Sequence, residues 1–229
     1  MQEWYLVYEV KKGKNGRAYL PLKDAQSRYL KLKLFKSAQQ NHFRINEIQV
    51  MDYQFAGSPE NVYRQMTKDA ARGLYPRYFN NEQSYWTVCG VNNDHDEALI
   101  NEDGMVEVDK NRFSIEPFVF IDDKLNSWDD VKSKQSLAGK YLPLPSVIWE
   151  INQLHLKTTV FADGQPGGSI LYLKYTLSNN SPVSKKGNLY LAIRPFQVNP
   201  PWQFLNWPGG TTPIDSIILK DDKIKVGAD

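Results

Sequence analysis

Residues 194–212, RPFQVNPPWQFLNWPGGTT, gather flat aromatic side chains where regular structure cannot continue. Phe196, Trp202, Phe204 and Trp207 are interleaved with Pro200-Pro201 and Pro208-Gly209-Gly210, and these prolines and glycines break helix and ladder alike. The segment follows a strand-like run at 189–196, so a loop leaving a strand is expected. Flat rings beside amides suit a sugar: the C–H face of the pyranose stacks on the ring while its hydroxyls meet polar edges. On that reading Trp202, Phe204 and Trp207 form the platform, and Gln203 and Asn206 supply the amides. The other reading of the same residues is an aromatic plug that closes one end of a β-sandwich. The residue types alone leave both open.

Other chemistries find less support. The sequence has no G-x-S-x-G elbow, no H-E-x-x-H, no C-x-x-C, no phosphate-binding loop and no G-x-G-x-x-G. His42, His95 and His155 stand far apart and read as surface or packed residues. Glu116 and Glu150 are the carboxylates that could form a glycoside-cleaving pair, but nothing in their spacing fixes a separation. The acidic run at 92–103, NNDHDEALINED, places Asn92, Asp94 and Asp96 at positions one, three and five of a calcium loop. It then offers Glu97 where the sharp turn needs glycine and Asp103 where a bidentate glutamate belongs, so the EF-hand reading fails. A looser oxygen site or a pair of polar turns around Ala98-Leu99-Ile100 remains. No catalytic residue, metal or cofactor is therefore expected.

The elements that must position these residues are mostly strands. Aromatic content is 13%, with 13 Tyr and 6 Trp, a composition that favours pleated structure. Lys and Arg number 28 against 26 Asp and Glu, a balance of +2 that lacks the excess needed to neutralise phosphates, so nucleic acid is not an expected partner. No apolar stretch approaches the length of a membrane span, and a membrane is not expected either. Cys89 is the single cysteine, so no disulfide forms within the chain. Strands are expected at 4–10, 18–22, 29–35 and 43–50. The third alternates Leu30, Leu32 and Leu34 with Lys31 and Lys33. Ser58 and Pro59 open a helix expected to run to about Arg72, stopped by Gly73 and Pro76. Beyond it, strands are expected at 83–91, 105–108, 113–121, 147–151, 154–162, 169–177 and 189–196, with a late hairpin of Ile217-Ile218-Leu219 and Ile224-Lys225-Val226. Residues 127–131 read as a single helical turn. The organisation expected is a small β lobe at 1–55, a helical linker at 56–77 and an antiparallel β-sandwich at 78–229, mainly β in class. A strand so near the start and a hairpin so near the end give the expectation of a piece of something longer.

Two stretches resemble known families. Residues 4–10, Arg28-Tyr29-Leu30-Lys31-Leu32-Lys33-Leu34 and Phe43-Arg44-Ile45-Asn46-Glu47-Ile48-Gln49-Val50 resemble the C-terminal half of a coagulation factor 5/8 type C, or discoidin-like, domain. Trp86-Thr87-Val88-Cys89-Gly90-Val91, residues 98–104, Phe113-Ser114-Ile115-Glu116-Pro117-Phe118, Leu142-Pro143-Leu144-Pro145-Ser146-Val147 and residues 194–203 resemble the β-supersandwich that precedes an (α/α)6 barrel in some bacterial glycosidases and phosphorylases. The resemblance implies a non-catalytic accessory region of a bacterial carbohydrate-active protein, secreted or periplasmic. Its partners would be carbohydrate, a C-terminal (α/α)6 domain that carries the acidic catalytic pair, or both. The loop at 199–210, with Trp202, Gln203, Phe204, Asn206 and Trp207, would then reach toward that domain or its glycan; a stand-alone carbohydrate-binding module using the same loop is the alternative.

Overall fold

The computed structural model describes residues 3–10, 18–20, 22, 27–35, 45–52, 57–204 and 209–227. The chain divides into two units, Met1–Val62 and Tyr63–Asp229.

Beyond residue 85 the described residues form twelve strands, several of them alternating apolar and polar side chains. They are β1 (Trp86–Gly90), β2 (Glu97–Asn101), β3 (Val106–Glu107), β4 (Ser114–Ile121), β5 (Lys124–Asn126), β6 (Lys132–Ala138), β7 (Leu142–Ile151), β8 (Leu154–Asp163), β9 (Ile170–Asn179), β10 (Gly187–Arg194), β11 (Ser216–Lys220) and β12 (Lys223–Gly227). All pairings are antiparallel. One sheet runs β1-β2-β3-β4-β10, with β5 also pairing the far end of β4; another runs β6-β7-β8-β9; β11 and β12 form a hairpin of their own.

Successive strand residues point to opposite faces, so each sheet of the sandwich has an inner and an outer side. Cys89, Ile100, Val106, Val119 and Ile121 from the first sheet meet Val147, Trp149, Ile151, Leu154, Leu156 and Val160 from the second in one buried core. The first sheet also buries its outer face. Leu99 and Met105 there pack with Tyr78, Phe79, Phe196 and Val198, and Tyr63, Tyr75 and Trp86 close around them. The mainly β, antiparallel sandwich expected from the sequence is thus the fold of the second unit, with the boundaries shifted. β1 starts at Trp86, because the Tyr85 N–H donates to Glu102 Oε2 (2.9 Å) instead of to a ladder. β10 ends at Arg194, since Phe196 makes only an isolated bridge to Thr211. The turn at Trp128–Asp130 is a single 3-10 turn, with Ser127 and Asp130 capping each other.

The helix α1 (Pro59–Thr67) begins where Ser58 and Pro59 predict but stops short of Arg72. The Thr67 hydroxyl donates to the Arg64 carbonyl (2.8 Å), and the N–H groups of Lys68 and Asp69 reach back only three residues, so the helix unwinds into turns. Gly73 then holds φ at +92° with its Cα pressed on Ser127, where a Cβ would lie 2.0 Å from the hydroxyl.

In the first unit, the strands expected at 4–10, 18–22, 29–35 and 43–50 are not found among the described residues. Alternation supplies an apolar stripe, but a strand exists only as part of a ladder and under a cover. Leu30, Leu32 and Leu34 remain about half exposed. Lys31 lies over the Trp4 ring at 5.0 Å, a local contact that needs no sheet. Among the described residues no helix is long and apolar enough to cross a membrane.

Candidate functional site

The loop that leaves β10 is pinched at its neck. Phe196 bridges Thr211, the Gln197 N–H donates to the Gly210 carbonyl (2.9 Å), the Gly210 N–H to Asn199 (2.8 Å), and the Thr212 N–H to Pro195 (3.0 Å). Gly209 passes so close to the carbonyls of Asn199 and Pro200 that a Cβ would lie 2.3 Å from each oxygen. That near contact is why glycine stands there. The Gln197 amide donates to Asn111 Oδ1 and Thr212 Oγ1, both at 2.7 Å, and the buried Tyr78 hydroxyl donates to the Gly210 carbonyl (2.9 Å).

Beneath the neck lies Glu107, itself buried. Its Oε2 accepts from the N–H groups of Val198 (2.8 Å) and Asn199 (3.4 Å). Burial pushes the Glu107 carboxyl up to about 7, with the backbone donors opposing that shift. A second buried carboxylate, Glu116, is handled differently. Arg194 pairs with it at 3.0 Å and spreads its guanidinium over Phe196 (4.5 Å) and Tyr75 (5.2 Å). Burial raises the Glu116 carboxyl and Arg194 opposes the rise.

Past the neck the chain turns at Pro200, whose carbonyl accepts from the Gln203 N–H (3.0 Å), while the Asn199 amide donates to the Gln203 carbonyl (2.9 Å). This turn presents Trp202 edge-on to Tyr78, with ring centroids 6.0 Å apart and planes at 86°. About half of the Trp202 surface stays open, and Phe204 is 75% exposed. Beside Trp202 lies a cleft of about 460 Å³ lined by Arg64, Asn81, Glu82, Gln83, Trp202 and Gln203.

A charge network fixes Glu82 in the cleft lining. Arg72 holds both oxygens of Glu82 at 2.8 Å and also pairs with Asp129. Arg77 pairs with Asp103 and, at 3.3 Å, with Glu102. Both guanidinium groups sit 4.9 Å from the Trp128 ring, whose indole N–H donates to the Tyr75 carbonyl (2.9 Å). Desolvation pushes the Asp103 and Glu102 carboxyls up, and Arg77 opposes it in both. Asn81 takes the left-handed conformation (φ 61°) that ends the 3-10 turn Arg77–Asn80, so the polar run Asn81-Glu82-Gln83 faces the cleft.

Two polar atoms of the lining are buried without a hydrogen-bond partner: Arg64 Nε and the side-chain oxygen of Gln203. One is a donor and the other an acceptor. Leaving such atoms unmet costs about 1–3 kcal/mol each.

Of the residues expected from the sequence, Trp202 and Gln203 line the cleft, and Phe204 is exposed outside it. Asn206 and Trp207 lie outside the described residues. Phe196 parts company with its neighbours and is core. The sequence reading missed Arg64, Asn81, Glu82 and Gln83. The run Asn80-Asn81-Glu82-Gln83, set between Tyr78-Phe79 and Tyr85-Trp86, is the signal that could have found three of them. Glu116 and Glu150 are not brought together. Glu116 faces outward from the first sheet and Glu150 outward from the second, where Lys134 pairs with it at 2.7 Å, so the whole sandwich core separates them. Asp94 accepts from the N–H groups of His95 (2.8 Å) and Gly167 (3.0 Å), ordering two loops. Hydrogen bonds from Ser169 and Gly167 hold its carboxyl down at about 2. Among the described residues no three His, Cys, Asp or Glu side chains converge as a metal site requires.

No protein-family model matches the chain, and searches of curated proteins and of solved structures return no match.

Proposed function

We propose that this chain is a non-catalytic accessory region of a bacterial carbohydrate-active protein working in the periplasm or outside the cell, and that the cleft beside Trp202 contacts glycan. The observation that carries the reading is a half-open indole set against three side-chain amides, Asn81, Gln83 and Gln203, in one cleft. An apolar face for the sugar ring and planar hydrogen-bonding groups for its hydroxyls are what a saccharide site needs. Calorimetry and a glycan array on the chain test it. Saccharides should bind, and Trp202→Ala should weaken them at least tenfold, since a stacked ring contributes about 1 kcal/mol or more. Affinity unchanged in that variant sinks the reading. A free-standing binding module would use the same cleft in the same way, without a neighbouring domain.

A second reading, docking onto a helical (α/α)6 domain, is favoured by a different feature. The hairpin β11–β12 exposes Ile217, Ile218, Leu219 and Ile224, each by more than half. Isolated two-stranded sheets are marginal in water, and apolar surface of this kind marks a contact. Ile218→Lys with Leu219→Lys should abolish co-elution with such a domain and leave saccharide binding unchanged.

A further inference from the structure

Arg64 is the charge in the cleft without a counterpart. The other ionised group of the lining, Glu82, is engaged: it gives both oxygens to Arg72, and the carboxylates behind it, Asp129, Glu102 and Asp103, pair with Arg72 and Arg77. Among the described residues no carboxylate lies within ion-pairing distance of Arg64, whose Nε–H is buried and unpartnered at the cleft. A guanidinium is planar, permanently charged and shaped to meet an oxyanion with two parallel N–H groups. An arginine placed merely to pack would leave its nitrogens in water; here one of them is withdrawn from water and points to no acceptor in the protein.

We infer that the glycan taken by the Trp202 cleft is acidic, with its carboxylate or sulfate group bound by Arg64. The inference rests on the carbohydrate reading above and adds the ligand's charge to it. Trp202 would stack the sugar ring, Gln203 would accept from a ring hydroxyl, and Arg64 would take the anionic substituent. Glu82, with its oxygens already held by Arg72, would be no obstacle to a second anion. Uronates and sulfated sugars share this oxyanion chemistry, and the experiment separates them.

The test uses the whole chain on a glycan array carrying matched pairs: uronate oligosaccharides with their methyl esters, and sulfated oligosaccharides with their unsulfated forms. Calorimetry on the best pair follows at low and high salt. The acidic member should bind at least tenfold more tightly than its neutral partner, with the advantage shrinking as salt rises. Arg64→Gln should abolish the preference, so that the acidic and the neutral member bind alike. The pair that responds tells carboxylate from sulfate. Equal binding of both members overturns the acidic-ligand inference while the carbohydrate reading stands, and silence across the array overturns both. Because the esters remove the charge from the ligand, the outcome does not depend on whether the Arg64 variant folds.

Discussion

At the base of the loop that leaves β10, Phe196, Gln197, Val198 and Asn199 are each at most 4% exposed, while a few residues further on Trp202 and Phe204 are 52% and 75% exposed. The two ends draw on the same mixture of aromatics, amides and prolines. What separates them is where their backbone groups find partners. The base can be buried because its N–H groups are met by Glu107 and the Gly210 carbonyl, and carbonyls at Pro195 and Asn199 by the N–H groups of Thr212 and Gly210. The tip makes one turn and then faces outward. Aromatic content therefore marks the loop but does not say which rings are core and which are surface; the hydrogen-bond partners of the adjoining backbone do.

The comparison is broken most severely at Phe196. Its ring meets Tyr63 at 4.8 Å, Phe79 at 5.4 Å and Tyr75 at 5.8 Å, so Phe196→Ala should cost about 3–5 kcal/mol, read as a fall in the urea midpoint. If it costs no more than a surface substitution, the base is not core. Next in size is Glu107. An acid raised from 4.5 to about 7 on folding contributes most stability below pH 4.5, where both states are protonated, and that contribution drains away as pH rises to about 7. The span corresponds to about 3 kcal/mol. Glu102, Asp103 and Glu116 are pushed in the same direction, so the quantity to measure is the difference between the wild-type and Glu107→Gln stability profiles. A pH-independent difference would remove Glu107 as the ionising group under the neck. Gly209→Ala, which forces a methyl group against two carbonyl oxygens, should cost about 1–3 kcal/mol and show as raised amide exchange at Gln197 and Gly210. Smallest of all in stability is Trp202→Ala, expected within about 0.5 kcal/mol of wild type while saccharide binding is lost. Comparable stability losses at Trp202 and Phe196 would erase the distinction between base and tip.

Much of the sandwich was legible because its inner faces follow a period of two: Val147, Trp149 and Ile151 in β7 and Leu154 and Leu156 in β8 are buried in alternation. β6 was not, because KSKQSLA has no apolar face and is held by its backbone ladder to β7. β2 was hidden by the acids around it, although Ala98, Leu99 and Ile100 are all buried, facing both cores. The alternation of Leu30, Leu32 and Leu34 misled in the opposite sense, since periodicity describes a face and not the partner that makes it a strand. Trp202 and Gln203 could be named in advance because they sit in the aromatic loop itself. Arg64 could not, because it is the fold of residues 63–83 against the first sheet that carries it to the cleft. A charge without a counterpart is a property of the folded neighbourhood that no local pattern of residues encodes.

Cys89 faces the inner core from β1, is 4% exposed, and burial pushes its thiol further from ionising. As the chain's one cysteine it can react with a thiol reagent only when the two sheets part. The protein thus carries a built-in chronometer: its alkylation in native buffer reads the population of the opened sandwich at low reagent and, once reaction outpaces reclosing, the rate of opening, at a single atom with no label introduced.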